Sequence, residues 1–524
     1  MDVEIYDTTL RDGSQGEGMS LSLEDKLKIA RKLDYLGVSY IEGGWPGSNP
    51  KDMDFFKMVQ DIEFKHAKIV AFSSTRKADS KAQKDSNIQA LLDAGVKTVT
   101  IFGKSWDFHV IRALETTLEE NLAMVEDTIA YLKAKGLEVI FDAEHFFDGY
   151  KNNQAYALRV LKAAEQAGAD LLVLCDTNGG ALPWEIDEII AQVMQNTSSR
   201  LGIHAHNDSG TATANSIIAV RRGCCQVQGT VNGYGERCGN ADLCEIVPNL
   251  ELKLGLRALP PDHLTRISEV SHYVSEIANM PHHSNQPFVG SGAFTHKAGI
   301  HVSALLKDAL TYEHINPETV GNHRRVLVSE LSGLSNLLYK AREFGLDVDK
   351  YDADTRKVIR QIKELENEGF QFEGAEASLE LFLRKAFGQT DDFFSLKNMK
   401  IILEKNEDEI ITSEAMIKIE VGETTYHTVA EGDGPVNALD NSLRKALTQV
   451  YPEIADMHLS DYKVRVLDGE NATAARVRVL IDSADCTGTW STVGVSENII
   501  EASWQALVDS VNYLLMKKRL DSDS

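Results

Sequence analysis

Within the first 256 residues, short runs rich in β-branched and apolar side chains alternate eight times with stretches of helical periodicity. The runs are VEIYDTT at 3–9, YIEGGW at 40–45, KIVAFSS at 68–74, TVTIFGK at 98–104, EVIFDAEHF at 138–146, DLLVLCDT at 170–177, LGIHAHND at 201–208 and QVQGTVNG at 226–233. Between them, Leu27, Ala30, Leu33 and Leu36 recur at helical spacing, and so do Leu122, Val125, Ile129 and Leu132. Strands separated by helices are the pattern of parallel βα units and not of hairpins. Eight such units in about 255 residues have the size of a closed (β/α)8 TIM barrel. The competing doubly wound sheet would carry a glycine-rich phosphate fingerprint after its first strand, and none is present.

Beyond Leu256 the alternation stops. A helix is expected over 262–278, then a loop rich in Pro, His, Ser and Gly at 281–292, then charged helices over 354–368 and 375–387. Residues 257–394 therefore read as a helical linker between the barrel at 1–256 and a β-rich segment at 395–524. That last segment is duplicated: YHTV at 426–429 parallels WSTV at 490–493, and NALDNSL at 437–443 parallels NIIEASW at 498–504. Two copies cannot form a solenoid, so the expectation is a pseudo-symmetric α+β regulatory or dimerisation module. The fold class is α/β.

Charge narrows the partners. Lys and Arg total 54 against 79 Asp and Glu, a formal net charge of -25, which argues against nucleic acid or an anionic membrane as the partner. Apolar runs such as LLVL at 171–174 fall far short of the roughly 20 residues that a membrane helix needs, and no charged-then-apolar leader precedes Val3. A cytoplasmic protein with reduced thiols is expected, since the six cysteines show no CxxC spacing.

The chemistry gathers at the strand ends. In HAHND at 204–208 the alternation along a strand puts His204 and His206 on one face, so two imidazoles can converge on one divalent ion. TTLRDGSQ at 8–15 brings Asp12 as a carboxylate ligand and Arg11 as a fixed cation. Strand five brings Glu144, strand six Asp176 and Thr177, and GYGERCGN at 233–240 brings Glu236, Arg237 and Asn240. Taken singly, several of these are ordinary turn residues; together they mark the C-terminal rim of a barrel, where active sites sit. Two imidazoles, a carboxylate and open positions suit a Lewis acid that polarises a carbonyl, with Arg11 beside a developing alkoxide. The residues alone leave carbon–carbon bond chemistry and hydrolysis of an oxo-acid-like substrate both open.

RDGSQ at 11–15, HAHND and GYGERCGN, in this order and on these strands, resemble the metal-dependent Claisen-condensation enzymes: 2-isopropylmalate, homocitrate and citramalate synthases. The likeness continues through FTHKAGIH at 294–301, YEHINPETVG at 312–321 and the duplicated module, which looks like that family's allosteric amino-acid-binding domain. YDTTLRDGSQGEG at 6–18 and YIEGGWPGSNPKD at 40–52 are similar to the citramalate branch, whereas isopropylmalate synthases typically carry RDGEQSPG. The resemblance implies condensation of acetyl-CoA with pyruvate on a route to isoleucine, in a homodimer inhibited by an amino acid, isoleucine being the expected one. It implies Asp12, His204 and His206 as ligands of Mg, Mn or Zn, with Asn240 in or near the shell, and Arg11 and Thr177 on the oxo acid. Glu144 and His301 would share removal of the acetyl methyl proton, with Tyr312 over the site. Phe72, Phe102 and Asp142 are the expected selectivity residues. The alternatives are a synthase for another 2-oxo acid, a 3-hydroxyacyl-CoA lyase of the same barrel superfamily, and a non-catalytic amino-acid sensor.

Overall fold

Eight parallel strands close into a barrel in sequence order: β1 (Glu4–Asp7), β2 (Tyr40–Gly44), β3 (Lys68–Ser74), β4 (Thr98–Lys104), β5 (Glu138–Glu144), β6 (Leu171–Asp176), β7 (Leu201–Ala205) and β8 (Gln226–Gly229). β1 closes the ring on β8, with Tyr6 opposite Gln228. The structure is a computed structural model and describes residues 2–328, 334–346, 348, 353–405, 411–467 and 475–523. It divides into two compact units, Met1–Phe294 with His314–Arg324, and Thr295–Glu313 with Arg325–Ser524.

Strand alternation sorts the first unit's side chains. Leu172, Leu174, Ile101 and Phe141 face outward and pack against helix residues such as Leu33, Val125 and Ile129 in one continuous apolar shell. The opposite set, including Tyr6, Tyr40, Val70, Ile140, Val173 and Cys175, forms a separate small apolar layer inside the barrel. The helix Leu23–Leu36 shows how sequence fixes these elements locally. Ser22 and Asp25 cap its start reciprocally, and Gly37 ends it at φ 95°. A Cβ at Gly37 would lie 2.5 Å from the Pro260 ring, so close packing as well as backbone geometry demands glycine there.

The interior is more polar than a Val/Ile/Leu-filled barrel. Glu42, Thr100, Asp142, Gln226 and Gln228 are all buried. They are tolerable because they satisfy one another: the Tyr6 hydroxyl donates to Glu42 and lies 2.8 Å from the Thr100 hydroxyl, and Gln228 Nε2 donates to Asp142 at 3.1 Å.

The second unit begins with a feature too short for any sequence signal, a parallel pair of two-residue strands, β9 (Thr295–His296) and β10 (Arg325–Val326). The expected helices appear as Ala353–Glu368 and Glu376–Ala386, joined by Gly299–Leu305 and Leu334–Glu343. The duplicated segment is two antiparallel three-stranded sheets. One is β11 (Ser395–Lys405), β12 (Ile411–Val421) and β13 (Thr424–Gly432), followed by the helix Pro435–Leu447. The other is β14 (His458–Val466), β15 (Val477–Asp485) and β16 (Gly488–Ser496), followed by the helix Ile499–Asp523. The copies agree down to single hydrogen bonds: Thr428 Oγ1 donates to the Ser442 carbonyl at 2.8 Å, and Thr492 Oγ1 donates to the Ala506 carbonyl at the same distance. Among the described residues no helix is long and apolar enough to cross a membrane, and all six cysteines are unbridged.

Candidate metal centre and substrate pocket

Asp12 leaves β1, and His204 and His206 end β7; all three are buried and offer ligand atoms within 4.8 Å of one another. Asp12 Oδ2 lies 3.2 Å from His204 Nε2 and 3.8 Å from His206 Nε2, and the two Nε2 atoms are 3.4 Å apart. The His204 Nδ1 proton goes to Gln228 Oε1 at 2.9 Å, because Gln228 turns its amide nitrogen to Asp142. That leaves Nε2 as the ring nitrogen turned to Asp12 and His206, and it is the atom that would serve as a cation ligand. Burial and the neighbouring His204 push His206 down to about 4, which keeps it a neutral donor, whereas His204 is raised because Asp12 outweighs its burial, so an ion bound there would displace a proton. Burial alone would raise Asp12, but the Arg11 guanidinium and the two imidazoles outweigh it and hold the carboxyl well below the usual range. Two imidazole nitrogens and a carboxylate converging in this way fit a divalent ion.

Asn240 has its backbone paired with His206, and its Nδ2 donates to the Tyr234 carbonyl at 3.1 Å. Its Oδ1 is buried without a protein partner, which suits an oxygen near a cation. Beside the triad, Arg11 is held three ways: Nε donates to Glu42 at 2.6 Å, Nη1 lies 3.6 Å from Asp12, and the guanidinium sits 3.9 Å above the centre of the Phe72 ring. A pocket of about 220 Å³ opens over these groups. Trp45, Phe72 and Phe102 form one wall of it, with Phe72 and Phe102 stacked at 5.2 Å and Trp45 edge-on to both.

Thr177 lines the same pocket, and its hydroxyl accepts the His145 backbone N–H at 2.9 Å, which turns the hydroxyl proton outward. Glu144 lines it too and is ion-paired with Lys104. Arg237 clamps Asp208 through two hydrogen bonds of 2.7 and 2.9 Å and donates to the Thr177 carbonyl at 2.8 Å, tying the loop after β8 to the ends of β6 and β7. Asp176 behaves differently from its sequence neighbours: it folds back to accept the Gly180 and Ala181 N–H groups and serves its own turn.

Residues 2–274 match the family model described as HMGL-like, residues 288–369 that of the homocitrate synthase post-HMGL domain, and residues 373–515 that of the LeuA allosteric (dimerisation) domain. The chain is 55% identical to an (R)-citramalate synthase of Aquifex aeolicus, covering 98% of each, and 54% identical to one of Geobacter sulfurreducens, again covering 98% of each. The chain belongs to the (R)-citramalate synthase family. A 2-isopropylmalate synthase of Methanocaldococcus jannaschii is 31% identical over a similar span and an (R)-citramalate synthase of the same organism 34%, both well below the Aquifex and Geobacter enzymes.

For a member of the citramalate synthase family, the first unit gathers Arg11, Asp12, Glu144, Thr177, His204 and His206 around one pocket, with Asn240 opposite His206 in a short antiparallel bridge. His301 and Tyr312 belong to the second unit, where their rings stack with centroids 4.1 Å apart. Sequence reading did not single out Gln228, Glu42 or Lys104. A signal existed for the first two: QVQG and YIEGG put polar side chains at inward positions of otherwise apolar barrel strands.

Proposed function

We propose that the chain condenses acetyl-CoA with pyruvate to give (R)-citramalate and free CoA. The observation that carries this is the Asp12–His204–His206 triad with Arg11 beside it in one small, aromatic-walled pocket, in a chain more than half identical to (R)-citramalate synthases. A bound divalent ion would polarise the pyruvate carbonyl and stabilise the alkoxide formed there. Asp12, His204 and His206 would hold that ion, and Asn240 would offer Oδ1. Arg11 receives the developing negative charge, and the outward-turned Thr177 hydroxyl donates to the oxo acid's carboxylate. Glu144, with His301, removes a proton from the acetyl methyl group; the resulting carbanion attacks C2 of pyruvate, and water then cleaves the thioester, releasing the thiol. We assign Tyr312, stacked on His301, a share in that proton handling.

Residues 1–256 form the catalytic barrel, 257–394 connect and contribute His301 and Tyr312, and 395–524 dimerise the enzyme and bind its effector. Isoleucine, the end product of the route, is the amino acid assigned to that module, and the enzyme works in the cytoplasm. Thiol release from acetyl-CoA, followed with pyruvate, 2-oxobutyrate, 2-oxoisovalerate and 2-oxoglutarate in turn, tests the reaction: absence of release with pyruvate overturns it. Failure of isoleucine to inhibit the full-length enzyme overturns the effector assignment alone.

A further inference from the structure

At the C-terminal ends of β4 and β5, Lys104 and Glu144 are register partners, and the Lys104 ammonium is ion-paired with Glu144 Oε2. Their side chains are only 16% and 22% exposed. Oε2 is buried and accepts no hydrogen bond of good geometry, so the ion pair with Lys104 is what holds it, and Glu144 lines the substrate pocket. The lysine is itself fixed. Asn121 Nδ2 donates to the Lys104 carbonyl at 2.9 Å and is anchored in turn 2.8 Å from the Tyr156 hydroxyl. Along the side chain, Nζ lies 5.6 Å from the centre of the Phe102 ring, which is stacked on Phe72. Swinging the ammonium away would give up both the carboxylate and the ring face.

We propose that Lys104 is a positioning residue: by holding Oε2 it orients the Glu144 carboxylate so that Oε1 faces the acetyl methyl group. The inference rests on the reading of Glu144 as a base for that methyl proton. A glutamate side chain has three free torsions, and a base displaced by about 1 Å loses on the order of 10²-fold in rate. Holding one oxygen removes most of that freedom while leaving the other to react. A lysine that served only the fold would weaken the protein without changing the proton-transfer step.

The test uses full-length enzyme carrying K104M, K104R, E144Q and the K104M/E144Q pair. K104M is expected to lower kcat by about 10²-fold, with KM for pyruvate changed no more than about 3-fold. It is also expected to enlarge the isotope effect on CoA release from trideuterated acetyl-CoA. K104R should recover most of the rate, and the double variant should be no slower than E144Q, because a residue that acts through Glu144 adds nothing once Glu144 is gone. K104M at the parental kcat, or a loss with an unchanged isotope effect and an additive double variant, overturns the inference. E144Q at the parental rate overturns the assignment of Glu144 itself; a slow E144Q with an unaffected K104M overturns only the role of Lys104. Should K104M fail to fold by circular dichroism, K104Q carries the same comparison.

Discussion

Gln228 presents its Oε1 2.9 Å from His204 Nδ1, and its other end is committed to Asp142. The amide is therefore held in this orientation, and His204 is turned so that its Nε2 faces Asp12. Outer partners of this kind are worth roughly 10- to 100-fold in metal affinity. Q228L is expected to weaken divalent-ion binding by about that factor, read by calorimetric titration of metal-free protein, while its far-ultraviolet dichroism stays as in the parent. Equal affinity in the two proteins would remove Gln228 from the account.

Arg11 depends on Glu42 for its direction, since Glu42 Oε1 accepts from both Arg11 Nε at 2.6 Å and Thr8 at 2.8 Å. Loss of a donor aimed at developing charge typically costs about 10²- to 10³-fold in kcat. R11A should fall in that range. R11K keeps the charge without the planar fork and should recover little of it. E42Q should show a smaller loss of the same kind, because the guanidinium remains but loses its charged anchor. Initial rates of CoA release at saturating substrates decide the order, and an R11K variant as fast as the parent would contradict it.

Much of this was legible in the chain because barrels repeat. Eight strands were read at 3–9 through 226–233, and all eight are present, because parity along a buried strand writes itself as a local pattern. The duplicated module was legible for a related reason: Thr428 and Thr492 sit in YHTV and WSTV, and both make the same bond to the following helix. What the pattern hid is long-range pairing. Glu42 meets Arg11 and Tyr6 across strands 31 and 36 residues apart, and Gln228 meets Asp142 across 86. Nothing local to QVQG distinguishes a glutamine that sets a histidine tautomer from one that fills space. Asp176 failed the other way: its neighbour Thr177 faces the pocket, but the turn at 180–181 claims the carboxylate.

Asp7 gives the protein a pH dependence of stability. It is fully buried, and burial pushes its carboxyl up to about 7 against the two hydrogen bonds it accepts from Thr9. In the unfolded chain the same group titrates near 4. Between those values the folded protein holds a proton that the unfolded chain has released, so stability falls as pH rises, at up to about 1.4 kcal/mol per pH unit for this group. The effect is absent below about pH 4 and complete above about pH 7. Thermal melts of metal-free protein from pH 5 to 7.5 are expected to shift downward with pH, and D7N should flatten that slope. Parallel curves for D7N and the parent would refute it.

Phe102 is expected to set the size of the oxo acid. It stands in the wall with Phe72 and Trp45, and the pocket it closes holds about 220 Å³ between that wall and the charged side formed by Arg11 and Asp12. With the oxo acid's carboxylate on Thr177 and its carbonyl toward Arg11, the substrate's alkyl end is expected against the rings, where extra methylenes meet stacked aromatics. Phe72 is the less informative position, because the Arg11 guanidinium rests on its face and would move with it. At Phe102, shortening the side chain opens the alkyl end without removing the ring on which Arg11 rests, though Lys104 loses a ring face, so the readout is a ratio between substrates and not a rate. One methylene in such a pocket is worth about 1–3 kcal/mol, or about 10- to 200-fold in discrimination. F102L should therefore raise kcat/KM for 2-oxobutyrate relative to pyruvate by a factor in that range, and F102A should extend the gain to 2-oxoisovalerate. Competition assays with mixed oxo acids, scored by product ratio, measure this directly. An unchanged ratio in both variants would place the selectivity elsewhere, with Asp142, the register partner of Phe102 on the adjacent strand β5, the next residue to vary.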